Sequence, residues 1–333
     1  MGFETVKKRL TVISPVFNEV EVIESFCREL KACLRGLDSR YEAEILLVLD
    51  RCTDDTVSVV RHLAADDPSL RCVVLSSRFG HQMSLLAGLD HAKADLYVMM
   101  DSDLQHPPSL IPEMVRAYEE GFDVVYTVRK ESGRQPAWRR LAGKAFYGVL
   151  HRVSDAPIYE NAADFRLLTD KVARVFRTDI RERKMFMRGL ISWVGFNQKR
   201  LEYSAATRRA GASKYSMSRM TGLAADAVLS FSTFPLKVSL ALGAAMSAAG
   251  FAYAFFTAIQ FGISSRLPSG WATLVMLITI FAGAQLLCLG LVGAYVGAIY
   301  AEVKKRPHYI VDETINFPRD TASVTSADRQ ASA

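Results

Sequence analysis

Asp101 and Asp103 flank a single residue directly after an apolar run at 96–100. Two carboxylates so spaced on a turn present oxygen ligands that suit a hard divalent cation, Mg2+ or Mn2+. A cation held there neutralises a diphosphate and helps it depart as a leaving group. Alone, D-x-D carries little weight, because Asp is common at strand ends and turns. Its surroundings add to it: Asp50 and Asp54 follow the run at 44–49, and Pro15, Asn18 and Glu19 follow the run at 10–14.

These runs, together with 71–75 and 123–128, alternate with segments of helical period, which implies an α/β fold with a mostly parallel sheet and helices on both faces. In such a sheet ligands bind beyond the carboxyl ends of the strands, so the three polar clusters face one crevice. The sequence has no G-x-G-x-x-G after the first strand and no G-x-x-x-x-G-K-[ST], so dinucleotide and P-loop readings lack their phosphate cradles. A G-x-S-x-G elbow is missing too, and the six histidines show no H-E-x-x-H spacing, which removes hydrolase and zinc readings. His91 and His151 read as ordinary helix-surface histidines, while His81 and His106, beside the motif loops, stay open.

Half of the 333 residues are hydrophobic, and most of the excess lies beyond Pro235. No charged residue occurs at 238–265, nor between Arg266 and Glu302. Both stretches exceed the roughly 20 residues that cross a hydrocarbon core. The expected organisation is a cytoplasmic catalytic domain over 1–206, interfacial juxtamembrane helices over 207–235, transmembrane helices over 236–265 and 271–301, and a cytoplasmic tail over 302–333 with a disordered end. Lys304, Lys305 and Arg306 after the second span against Arg266 alone at the turn place both ends in the cytoplasm. Gly293 and Gly297 form a G-x-x-x-G that lets helices approach closely in a homo-oligomer. Five scattered cysteines fit a reducing compartment. The net charge of +6 suits nucleic acid, acidic lipid or phosphorylated substrates, but no nucleic-acid recognition element accompanies it.

Several stretches together resemble the polyprenyl-phosphate branch of the inverting A-type (GT-A) glycosyltransferases, which contains dolichyl-phosphate mannose synthases and undecaprenyl-phosphate glucosyltransferases. They are S-P-V-F-N-E (14–19), F-G-H-Q (79–82), L-L-A-G-L-D (85–90), D-S-D-L-Q-H-P-P (101–108), D-F-R-L (164–167), R-G-L-I-S-W-V-G-F (188–196), A-G-A-S-K-Y (210–215) and S-F-S-T-F-P-L-K (230–237). The likeness runs through nearly all of 10–307. It implies a Rossmann-like nucleotide-sugar-binding sheet and transfer of a sugar to a polyprenyl phosphate in a membrane, the bacterial inner membrane being the expected one. UDP-glucose is the first choice of donor. GDP-mannose, a UDP-N-acetylhexosamine, a UDP-uronic acid and an aminoarabinose donor are the alternatives.

By the same resemblance Pro15, Asn18, Glu19, Asp50 and Arg129 serve the donor. Asp101, Asp103 and Gln105 handle the metal and diphosphate, and Asp164 is the candidate base. Arg134, Arg166, Arg208 and Lys214 meet acceptor phosphate. Arg134 also belongs, with Arg139, Arg140 and Lys144, to a basic loop that would cover the crevice. The sequence departs from the family pattern where V-L-D-R-C-T-D (48–54) replaces V-D-D-G-S-x-D, so that Leu49 stands for an Asp and Arg51 for a Gly. Ser77, Arg78 and Met185 also differ from the usual residues, which bears on donor identity. A processive polysaccharide synthase would need a Q-x-x-R-W element, which the chain lacks. A catalytically silent sugar-nucleotide-binding scaffold would not need Asp101, Asp103 and Asp164 together.

Overall fold

The structure, a computed structural model, describes residues 7–129, 162–183, 185–203, 234–264 and 270–317. Strand β1 (Lys8–Val16) lies at the centre, paired in parallel with β2 (Tyr41–Leu49) on one side and β4 (Leu96–Met99) on the other, while β3 (Leu70–Leu75) extends the parallel set beyond β2. The inner part of each strand is a near-continuous buried apolar run, as expected for strands covered on both faces. Helices α1 (Ile23–Leu34), α2 (Thr56–Ala65), α3 (His81–His91) and α4 (Ile111–Glu119) connect successive strands that run in the same direction. The mostly parallel α/β sheet expected from the sequence is present.

Four further strands complete the order β7-β5-β6-β4-β1-β2-β3-β8, with β8 (Val311–Ile315) at the β3 edge. Strand β6 (Ala162–Thr169) runs antiparallel between β4 and β5 (Val124–Arg129), and β7 (Gln198–Tyr203) pairs in parallel with β5. Helices α5 (Asp170–Thr178) and α6 (Met187–Trp193) link β6 to β7. The register of β6 matters for chemistry. Met99 pairs with Arg166, and extending that antiparallel ladder by two residues sets Asp164 opposite Asp101. A strand running against its neighbours brings its first residues to the end where theirs finish.

Two long helices, α7 (Phe234–Ser264) and α8 (Trp271–Val303), form a separate compact unit. At about 1.5 Å per residue each is longer than the roughly 30 Å hydrocarbon core. Both are long and apolar enough to cross a membrane, and none of their most apolar stretches is buried within the protein. A Cβ added at Gly293 or Gly297 would meet nothing within 4 Å among the described residues.

The segment after α8 does more than trail as a tail. Strand β8 (Val311–Ile315) pairs antiparallel with β3 and closes that edge of the sheet. Asn316 donates to the carbonyls of Ala64, Asp67 and Leu70. The Tyr309 hydroxyl donates to Asp90 Oδ2 at 2.8 Å, and Arg181 grips the same buried carboxylate. His91, expected on an open helix surface, lies under this segment, with its ring 5.8 Å from Tyr309 and 6.2 Å from Phe317.

Candidate active site

The first three parallel strands end in loops that are tied to one another. Asn18, at φ 55°, donates through Nδ2 to Thr53 Oγ1 and accepts from the Thr53 amide, both at 2.8 Å. The Glu19 amide donates to Thr56 Oγ1. Asp50 turns inward: Oδ1 accepts the Phe79 amide at 2.7 Å and Oδ2 the Gly80 amide at 2.9 Å. It fixes the turn that starts α3, where Gly80 has φ 92°, a value that favours glycine. Arg51, which stands for a family Gly, has φ 44°, and its side chain donates to the Ser76 carbonyl. Pro15 receives the Ser102 hydroxyl on its carbonyl, joining the end of β1 to the D-x-D turn.

That turn is held from several directions. Leu104 adopts φ 60°, and Asp103 Oδ1 accepts the Gln105 amide at 3.1 Å. The Asp101 amide donates to His106 Nδ1, whose ring stacks on Phe165 at 5.3 Å. His81 Nε2 lies 2.8 Å from Asp101 Oδ1. Burial opposes charge on Asp101, yet the His81 bond and nearby His106 outweigh it and hold the carboxyl below its ordinary range. For His81, burial lowers basicity, but the bonded Asp101 carboxylate prevails and raises it.

Asp164 lies 6% exposed beside this turn and makes a two-pronged ion pair with Arg188, Nε to Oδ1 at 2.7 Å and Nη2 to Oδ2 at 2.5 Å. Arg166 Nη2 is 3.8 Å from Asp164 Oδ1 and donates to the Ala163 carbonyl. Desolvation penalises the Asp164 charge, but the bonded Arg188 and adjacent Arg166 hold its pKa well below the usual carboxylate range. Burial pulls Arg166 the other way, down to about 10 against the support of Asp164. Arg166 is 2% exposed and its Nε has no hydrogen-bond partner among the described residues, so it backs the carboxylate from inside the sheet.

Asp101, Asp103, Gln105, Asp164 and Arg166 therefore lie together at the end of β4 and the start of β6. Arg129 ends β5 opposite Tyr203, a phenol whose ionisation burial opposes and which feels Arg129, Asp101 and Asp103 together. Arg134, Arg139, Arg140, Lys144, Arg208 and Lys214 lie outside the described residues, as does the 207–233 segment expected at the membrane interface. Arg188 and His81 enter the site with no role assigned from sequence. Gln82 joins them, its Oε1 accepting the Met187 amide at the start of α6. Among the described residues no three His, Cys, Asp or Glu side chains form a ready-made metal cage. Two carboxylates and the Gln105 amide oxygen are hard donors, and Mg2+ commonly binds one or two carboxylates and takes its remaining ligands from substrate phosphates and water. The residues fit such a cation.

A D-x-D turn at the strand ends of an α/β sheet, beside a carboxylate held by guanidiniums, is an arrangement suited to group transfer between phosphorylated substrates. The chain belongs to glycosyl transferase family 2, whose defining pattern matches residues 11–190, and it is a glycosyltransferase. It is 34% identical to the SfII prophage-derived bactoprenol glucosyl transferase of Shigella flexneri over 92% of this chain and 98% of that one. To the prophage bactoprenol glucosyl transferase homolog of Escherichia coli it is 33% identical over 91% and 98%. An uncharacterized glycosyltransferase of Bacillus subtilis, YkcC, is 36% identical over 91% and 93%. Among solved structures, the mannosyltransferase of Pyrobaculum calidifontis in complex with GDP-Man and Mn2+ covers 86% of this chain and 88% of its own at 18% identity, with a TM-score of 0.45.

Proposed function

We propose that the protein transfers glucose from UDP-glucose to a polyprenyl phosphate, undecaprenyl phosphate first, with inversion at the anomeric carbon and at the cytoplasmic membrane face. The observation that carries this reading is the meeting, at one strand end, of a D-x-D turn with a carboxylate gripped by Arg188 and backed by Arg166, on a chain that also bears two bilayer-length helices. Relatives at about one-third identity over nearly their whole length are named bactoprenol glucosyl transferases, which supports both the lipid acceptor and the sugar. We take the catalytic domain as 1–206 joined by the returning 306–317 segment, the interfacial part as 207–235, and the spans as 236–265 and 271–301.

In this reading an oxygen of the lipid phosphate attacks the anomeric carbon while the bond to the donor diphosphate breaks. The nucleoside diphosphate leaves with the electron pair from the opposite face. A phosphate monoester is mostly ionised at neutral pH, its second pKa lying near roughly 6, so the nucleophile needs little help from a base. Asp101, Asp103 and Gln105 would hold a divalent cation, which supplies positive charge to the departing diphosphate. Asn18, Glu19, Asp50 and Pro15 would shape the nucleoside end, with Asp50 acting through the backbone turn it fixes. A polyprenyl tail cannot leave the bilayer without exposing its apolar surface, and the apolar helices keep the enzyme where that substrate is.

The purified protein, given a panel of nucleotide-sugars and undecaprenyl phosphate, is expected to yield a glucosyl-phosphate lipid by mass spectrometry. Another sugar in the product would replace the donor assignment. Asp103→Ala is expected to abolish transfer with an unchanged melting temperature; normal turnover in that variant would remove the metal role.

A further inference from the structure

Asp164 and Arg188 are matched edge to edge, with both carboxylate oxygens engaged by the Nε and Nη2 side of one guanidinium. Of the two arginines at this carboxylate, Arg166 is sealed inside the sheet, whereas 42% of the Arg188 side chain is exposed. Gln82 receives the Met187 amide next to Arg188, and neighbouring His81 bonds Asp101. A continuous set of contacts thus runs from the D-x-D turn to the first turn of α6. Both guanidiniums adjoin the one Asp164 carboxylate. Arginine's planar fork suits phosphate oxygens, and a guanidinium fixed by a carboxylate loses less freedom when it binds one.

We propose, resting on the reading above, that Arg188 binds a phosphate of one of the two reactants and that Asp164 is its positioning residue rather than a proton acceptor. Asp164 offers a base little to do: its oxygens are committed to Arg188, and the attacking phosphate already carries the charge a base would create. The phosphate could belong to the donor diphosphate or to the lipid, and the two sources separate in kinetics.

The test uses the full-length protein in lipid nanodiscs, comparing Arg188→Ala, Arg188→Lys, Asp164→Asn and the Asp164→Asn/Arg188→Ala double variant. Loss of a charge-assisted contact predicts a fall in kcat/KM of roughly 10- to 100-fold for Arg188→Ala. A raised KM for nucleotide-sugar assigns the donor diphosphate, and a raised KM for undecaprenyl phosphate assigns the lipid. Asp164→Asn should move the same KM by a smaller factor, and the double variant should be no worse than Arg188→Ala, because the two residues act as one unit. Added methylguanidinium should restore part of the Arg188→Ala loss. Multiplying effects in the double variant, or an Asp164→Asn defect confined to kcat and relieved by added formate, would overturn the proposal. Should Asp164→Asn fail to fold, the KM changes and guanidinium rescue of the Arg188 variants decide. If the wild type glucosylates no polyprenyl phosphate, the functional reading falls separately. Calorimetric binding of UDP with Mg2+ and of undecaprenyl phosphate then supports this inference if Arg188→Ala weakens either one and overturns it if both are unchanged.

Discussion

Charge at Asp164 persists against burial because two cations adjoin it, and this makes the catalytic domain's stability sensitive to acid. Its folded pKa is depressed below the ordinary 3.8, so the unfolded chain binds the proton more readily. The contribution is fully present above about pH 4 and is lost as pH falls through the depressed value. Asp101, lowered by His81, adds in the same sense, while the raised His81 contributes below its ordinary 6.5 and loses that as pH climbs. Asp164→Asn is expected to melt lower than wild type at pH 7 and to lose less between pH 5 and 3, as followed by circular dichroism. Parallel melting curves for the two proteins over that range would refute the linkage. At this scale D-x-D and D-F-R-L are legible because each carries its chemistry in adjacent residues. Arg188 and His81 are not, because a lone Arg or His is common and only the tertiary register brings them to the carboxylates. Arg51 shows a similar limit: its left-handed backbone follows from a loop whose shape glycine normally serves, and the side chain compensates through Ser76.

Among the elements, α3 depends most sharply on one small residue. A Cβ at Gly88 would stand 2.2 Å from Ile13 Cγ2 and 3.4 Å from Val48 Cγ2, so the helix approaches the centre of the sheet as only glycine permits. Moving α3 outward would carry His81 away from Asp101, since His81 is its first residue. Gly88→Ala is therefore expected to destabilise the domain by roughly 1–3 kcal/mol through overpacking, and to lower activity along with melting temperature. Wild-type stability in that variant would show that Ile13 can yield and that the helix is not pinned. The apolar runs of β1 to β5 are legible because strands covered on both faces are largely apolar along their length. Strand β6 was harder to read. Asp164 and Arg166 interrupt its apolar pattern, and it carries them because its first residues finish the site rather than the core. Strand β8 is five residues long with Asp312 and Glu313 in its middle, an edge strand whose only strong signal is β-branched Val311, Thr314 and Ile315.

For the molecule as a whole, the decisive feature is that the chain leaves the sheet unit, forms two long apolar helices and then returns to the same sheet. Strand β8 on β3, the Asn316 bonds and the Tyr309–Asp90–Arg181 cluster fix that return. Arg183 adds to it by donating to the carbonyls of Arg306 and Pro307. A folded domain cannot be built from strands on opposite sides of a bilayer, because ladder hydrogen bonds form only between strands in one compartment. A membrane-spanning segment between β7 and β8 would therefore cross an even number of times, whatever the charges at its ends. Charge counting suggested the same arrangement from three cations after the second span against one at the turn, a weaker ground than the pairing of β8. The expected outcome is that a fluorescent protein that matures only in the cytoplasm reports equally from the N-terminus and from the C-terminus. A reporter active only across the membrane should be silent at both ends and active when inserted at Pro268, between the two helices. Opposite signals from the two termini would mean that β8 does not pair with β3 in the membrane-bound protein.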